Sequence, residues 1–156
     1  MTTTTRKTLQ YVMADPTVDT TLTMVADMVG VTRDMAKTIV ESGLPMMATV
    51  ADGNPWVFKA MFAQSVKYLP QPTEAFYAKL GKNATARQAQ AAEFETMYGA
   101  LTGSINRDAA RHASATEAQA TQVLAATMPA VLKAMGKANT NANEMGFGRQ
   151  LRDLHA

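Results

Sequence analysis

Residues 22–47 read LTMVADMVGVTRDMAKTIVESGLPMM, and this stretch decides the fold class. Leu22, Val25, Ala26 and Val29 fall at i, i+3, i+4 and i+7, the apolar face of one amphipathic helix. That helix begins after the Asp15-Pro16 turn, with Asp19 as its expected cap, and Gly30 ends it. Thr32 then has the chemistry to cap a second helix, whose stripe is Met35, Ala36, Ile39 and Val40. Pro45 lacks a backbone N–H and crowds the preceding turn, so a kink or a fresh start is expected there, with the apolar pattern resuming at Met47 and Val50.

The same reading extends outward. Asp52-Gly53-Asn54-Pro55 is a turn signal, and Phe58, Met61, Phe62, Ser65 and Leu69 line one side of the helix after it, up to Pro70 and Pro72. Thr73 is placed to cap a short helix carrying Phe76, Tyr77 and Leu80, closed by Gly81. A longer helix from about Thr85 presents Phe94, Met97, Tyr98, Leu101 and Ile105. Ser114-Ala115-Thr116-Glu117 has capping-box spacing, and Val123, Leu124, Met128, Val131, Leu132 and Met135 continue the stripe beyond it, past Pro129. After the polar break at residues 139–143, Phe147, Leu151 and Leu154 mark a last helix. No strand pattern competes, so the expected fold is all-α: a compact multi-helix bundle in a single domain over residues 1–156.

A shift of 84 residues places Ala26 on Ala110, Thr32 on Thr116, Ala36 on Ala120 and Pro45 on Pro129 without a gap. Ile39 then meets Val123, Val40 meets Leu124, Leu44 meets Met128, Met47 meets Val131 and Ala48 meets Leu132. The expectation is an internal repeat, at roughly 22–62 and 106–154, that repeats packing rather than chemistry. In the first unit Val29-Gly30-Val31-Thr32-Arg33-Asp34-Met35-Ala36 and Gly43-Leu44-Pro45-Met46-Met47, and in the second Ala113 to Ala120 and Met128-Pro129-Ala130-Val131-Leu132, resemble the YidB-like family of bacterial proteins of unknown function. That resemblance implies a small bacterial all-α protein and carries over no catalytic residue.

Composition narrows the function classes. With no Cys in 156 residues, disulfides, thiolate metal sites and Cys nucleophiles are all excluded, which suits a reducing compartment and points to the cytoplasm. No run of about 20 apolar residues offers a membrane span. The net charge is +2, but basic side chains are scattered, six against seven acidic ones up to Ala78 and nine against six beyond it.

Chemical motifs are sparse. His112 and His155 are the two histidines, and neither has a metal or acid–base partner at helical spacing. Glu93 and Glu95 lie two apart on a helix and face different ways. Gly146-Phe147-Gly148 lacks the third glycine of a dinucleotide loop, and Ser42, Ser65, Ser104 and Ser114 sit in no nucleophile elbow. The expectation is therefore a non-enzymatic protein without cofactor or metal, working by contact with a protein partner or with itself through Trp56, Met46 and Met47. A Met-rich face formed from Met24, Met28, Met35, Met46, Met47 and Met61 would be adaptable. The alternative is a DNA-associated helix-turn-helix around Gly30, with Arg33 and Lys37 facing phosphate, and a small enzyme stands third.

Overall fold

The computed structural model describes residues 7–70, 77, 80–98, 102–139 and 143–155, and every regular element among them is a helix. In chain order these are α1 (Lys7–Ala14), α2 (Pro16–Val29), α3 (Arg33–Asp52), α4 (Pro55–Tyr68), α5 (Ala84–Tyr98), α6 (Thr102–Ala113), α7 (Glu117–Ala138) and α8 (Glu144–His155). Tyr77 and residues 80–82 are helical as well. No described helix is long and apolar enough to cross a membrane.

The helix ends follow from local chemistry. Asp15 has extended backbone, and its carboxylate accepts from the N–H groups of Thr17 and Val18 at the start of α2, where Pro16 sacrifices no hydrogen bond. Lys137, in the last turn of α7, adds an ion pair to the same carboxylate at 3.2 Å. Gly30 closes α2 with φ of 85°, a left-handed conformation that glycine adopts without steric cost, and both Gly30 N and Val31 N donate to Ala26 O. Thr32 then caps α3 through its hydroxyl, which accepts from Met35 N.

The turns after α2 and after α6 share local hydrogen-bond geometry. Ser114 stands 84 positions after Gly30 and is the one described non-glycine residue with positive φ, at 56°. Ala115 N donates to Ala110 O, as Val31 N does to Ala26 O, and Thr116 caps α7 as Thr32 caps α3. Both long helices carry an internal proline. Packing crosses between the halves: α3 lies mainly against α6 and α8, and α7 mainly against α2 and α4. Each long helix is thus sandwiched by the short helices of the other half, and the buried side chains form one continuous cluster that includes Leu22, Ile39, Leu44, Met61, Leu124, Leu132, Phe147 and Leu151. Phe147 closes the α4–α8 side against Phe58 and Phe62, with centroids 5.7 Å away in both cases.

Several local expectations are corrected. Asp15, not Asp19, caps α2, because only Asp15 has the extended backbone that aims its carboxylate at the free N–H groups; Asp19 lies in the first turn and pairs with Arg33. The capping box of α7 is Thr116 with Gln119 rather than Ser114 with Glu117, since Ser114 is committed to the left-handed turn after α6. Pro45 does not end its helix: α3 runs unbroken to Asp52, its far half held in the core by Met47, Ala48 and Ala51. Gly81 is helical rather than terminal, and Asn83 starts α5 by accepting from Ala86 N. Ile105 belongs to α6, not to the stripe of α5. Helix α1 is an addition to the expected elements, with Leu9, Val12 and Met13 at i, i+3 and i+4 on one face. Pro72, Thr73, Phe76, Leu101 and the side chains of Tyr98 and His155 lie outside what is described.

Pro129 is accommodated by distant side chains. Its missing N–H leaves the Ala125 carbonyl without the usual helical donor, and Gln90 Nε2 supplies one at 3.1 Å. Beside that break the Tyr77 hydroxyl donates to Ala126 O at 2.8 Å and accepts from Ala130 N at 3.2 Å. A hydrogen bond with Thr21 completes its surroundings, and burial pushes the phenol well above its ordinary value of 10.0.

Candidate functional site

The corner between α3 and α4 holds an open groove of about 500 Å³. It forms because α3 ends at Asp52, Gly53 turns the chain, and Asn54 caps α4 by accepting from Trp56 N at 3.1 Å and Val57 N at 3.4 Å. Pro55 fixes the first helical position. Val57 is buried, which orients the first turn of α4 and leaves its neighbour Trp56 58% exposed. Met46, Thr49 and Val50 form one wall, Asn54 the corner, and Ser104 and Ile105 of α6 the other wall. Among the described residues no charged side chain lines the groove. Its walls are largely apolar with a few hydroxyl and amide groups, and its volume falls in the range of ligand clefts.

Of the expected interface residues, Met46 lines this groove, Trp56 is exposed in the first turn of α4 and is not among the lining residues, and Met47 is buried. Met47 is 0% exposed in the core, because it lies one residue round the helix from Met46 on the stripe that faces inward. Of the six Met residues expected to exceed the core stripe, Met47 and Met61 are buried, whereas Met24, Met28, Met35 and Met46 are half-buried and reach the surface in part. Trp56, Met145, Tyr11 and Val66 are the exposed large apolar side chains among the described residues. Thr49, Val50, Ser104 and Ile105 escaped sequence reasoning, since nothing local announces that α6 packs across α3.

The other candidate residues do not gather. Arg33 is engaged with the Asp19 carboxylate, and Lys37 is exposed on a helix that also carries Asp34 and Glu41. A phosphate-tracking face needs several neutralising charges together, so nothing in this arrangement favours nucleic acid. His112 is exposed, with Nδ1 2.8 Å from Asp108 O one turn back, and Asp108 also pairs with Arg111. Glu93 accepts from Gln64 at the surface. Among the described residues no group of three His, Asp or Glu side chains is placed to hold a metal ion. Compared with family models, with curated proteins and with solved structures, the chain matches none.

Proposed function

We propose that this protein is a non-enzymatic helical module that works by contact with another protein chain, and that the α3–α4 corner is its contact surface. What supports this reading is a groove whose described lining residues are uncharged, together with Trp56, which follows the groove residue Asn54 by two positions and is exposed. Tryptophan is among the residues that most often anchor interfaces, because its large rigid ring loses little entropy when it is buried. The absence of any titratable group among the groove's described lining residues speaks for binding rather than catalysis. A Cys-free chain suits action in the cytoplasm, and the resemblance to YidB-like proteins agrees with a role that needs no catalytic residue.

The test is affinity capture from native cells combined with the absolute mass of the recovered material by light scattering, for the wild type and for Val50→Glu. Val50 is only partly buried at the groove wall, so the charge blocks the groove without entering the core. A stoichiometric protein chain, either a partner or further copies, retained by the wild type and lost from the variant is the expected result. Equal recovery by both would overturn the reading.

A further inference from the structure

Helix α4 contains no acidic residue, and helical spacing divides its side chains. Val57, Met61, Ser65 and Tyr68 face the core, so Trp56, Lys59, Val66 and Lys67, at i, i+3, i+10 and i+11, run along the opposite, exposed side. Helix α8 presents Met145, Arg149 and Arg152, at i, i+4 and i+7, in the same way, while Phe147, Leu151 and Leu154 are buried. The two helices adjoin: Phe58 and Phe62 pack on Phe147, and a Cβ at Gly148 would meet both the Phe58 ring, at 3.6 Å, and the Arg152 guanidinium, at 3.5 Å. Trp56, Val66 and Met145 are three of the four exposed large apolar side chains among the described residues. Basic side chains that are scattered along the sequence are thus interleaved here with apolar ones. Elsewhere cations have carboxylate partners, Arg33 with Asp19, Arg111 with Asp108 and Lys137 with Asp15. Among the described residues Lys59, Lys67, Arg149 and Arg152 have none. Lys67 lies over the Tyr68 ring at 5.4 Å, which leaves its charge in place. Of the α8 carboxylates, Asp153 is turned to α1, where it accepts from Thr8 N at 2.6 Å, and Glu144 stands in the first turn, at the positive end of the helix dipole.

We propose that the outer side of α4 and α8 binds the surface of an anionic phospholipid membrane; this goes beyond the contact reading and does not depend on the groove. Charge complementarity sets the sign of the partner, because four cations without carboxylate partners on adjoining helices attract fixed negative charge. The apolar members then choose among anionic partners. A nucleic-acid backbone offers phosphate to the cations and nothing to Val66 or Met145. An acidic peptide is held by a groove or a strand edge, whereas these are the outer sides of two helices. A bilayer supplies both components in one plane: phosphate for Lys and Arg, and the acyl boundary just beneath it for Val and Met. The headgroup level is also where Trp rings settle. No described helix is long and apolar enough to cross a membrane, so the contact proposed is peripheral.

The test is co-sedimentation with vesicles of phosphatidylcholine alone and of equal parts phosphatidylcholine and phosphatidylglycerol, with far-UV circular dichroism showing that each variant is folded. The wild type is expected to sediment with the anionic vesicles and not with the neutral ones, and to be released by high salt. The emission of Trp56, the only tryptophan, should move to shorter wavelength on binding. A Lys59→Gln, Arg149→Gln variant should bind about 30-fold more weakly, from roughly fivefold per cation near an anionic surface. A Lys37→Gln, Arg111→Gln variant changes the net charge equally at exposed cations outside α4 and α8, and it should bind as the wild type does. Trp56→Ser with Val66→Ser should weaken binding at unchanged charge. A wild type that stays in solution with both vesicles, equal losses in the two charge pairs, or full binding by the Trp56→Ser, Val66→Ser variant overturns the proposal. Salt-sensitive binding of a single-stranded oligonucleotide or of polyglutamate, by protein that ignores both vesicles, overturns it in favour of that partner. The Lys59→Gln, Arg149→Gln variant should still retain the protein chain that the wild type recovers from cells, so this proposal and the contact reading can fail separately.

Discussion

Tyr77 is the residue on which the second half of the core depends. Its hydroxyl serves Ala126 O and Ala130 N beside the proline break, so Tyr77→Phe should cost ~1–3 kcal/mol, the range for leaving buried polar groups unpaired, as read from urea unfolding. The same group fixes a pH dependence. Because the native phenol is raised above 10.0 while the unfolded one is not, its contribution is complete below pH 10 and is lost as pH climbs past 10 towards the native value. Tyr68 acts in the same direction, through burial first and then through nearby Glu93. The wild-type urea midpoint should fall between pH 9 and 11, and the fall should be shallower, not absent, in Tyr77→Phe. Asn106 offers the opposite case. It is 5% exposed, its Oδ1 has no hydrogen-bond partner among the described residues, and the 84-residue shift equates it with Leu22. Asn106→Leu should therefore raise stability by about 1–2 kcal/mol, and a loss would show that the amide has a use the structure does not explain.

At the scale of elements, the crossing of α4 and α7 leaves no room for a side chain at Gly136. A Cβ on Gly136 would meet the backbone carbonyl of Ser65 at 2.9 Å, and a backbone atom cannot rotate aside as a side chain can. Gly136→Ala should destabilise by ~1–3 kcal/mol in spite of its better helix propensity, as measured by thermal unfolding. The sequence announced most elements correctly where apolar spacing and capping chemistry agreed, as at Leu22 to Gly30 and Thr32 to Val40. It misled where one residue type fits two roles. Asp15 and Asp19 are both plausible caps by identity, and only backbone geometry separates them. Ser114 and Thr116 pose the same problem, which the alignment of Thr32 with Thr116 already resolves. Pro45 was ambiguous for a different reason: local sterics allow a kink or a fresh start, and the helix continues to Asp52, with Met47, Ala48 and Ala51 buried beyond the proline. Of the groove, Met46 was legible as an apolar residue in excess of the core stripe, whereas Ile105 and Ser104 join it only through the long-range packing of α6 on α3, which no local pattern encodes.

For the whole molecule, the exchange of packing between halves has a thermodynamic consequence. If α3 is held by α6 and α8 while α7 is held by α2 and α4, neither half retains its core when the other is lost. Leu44→Ala and Leu132→Ala remove fully buried side chains from opposite halves, and each should cost ~2–5 kcal/mol while lowering one shared unfolding transition. Two separable transitions in calorimetry, each moved by only one substitution, would contradict this interleaving.

The most direct measurement of the proposed contact surface is acrylamide quenching of Trp56, the single indole, in freshly recovered assembled material and again after extensive dilution. Protection in the assembled state that disappears on dilution is the result expected of a corner buried by a partner chain. Equal, ready quenching in both states, with the protein's mass shown to change between them, would mean that the molecule assembles elsewhere and that this corner is not where it works.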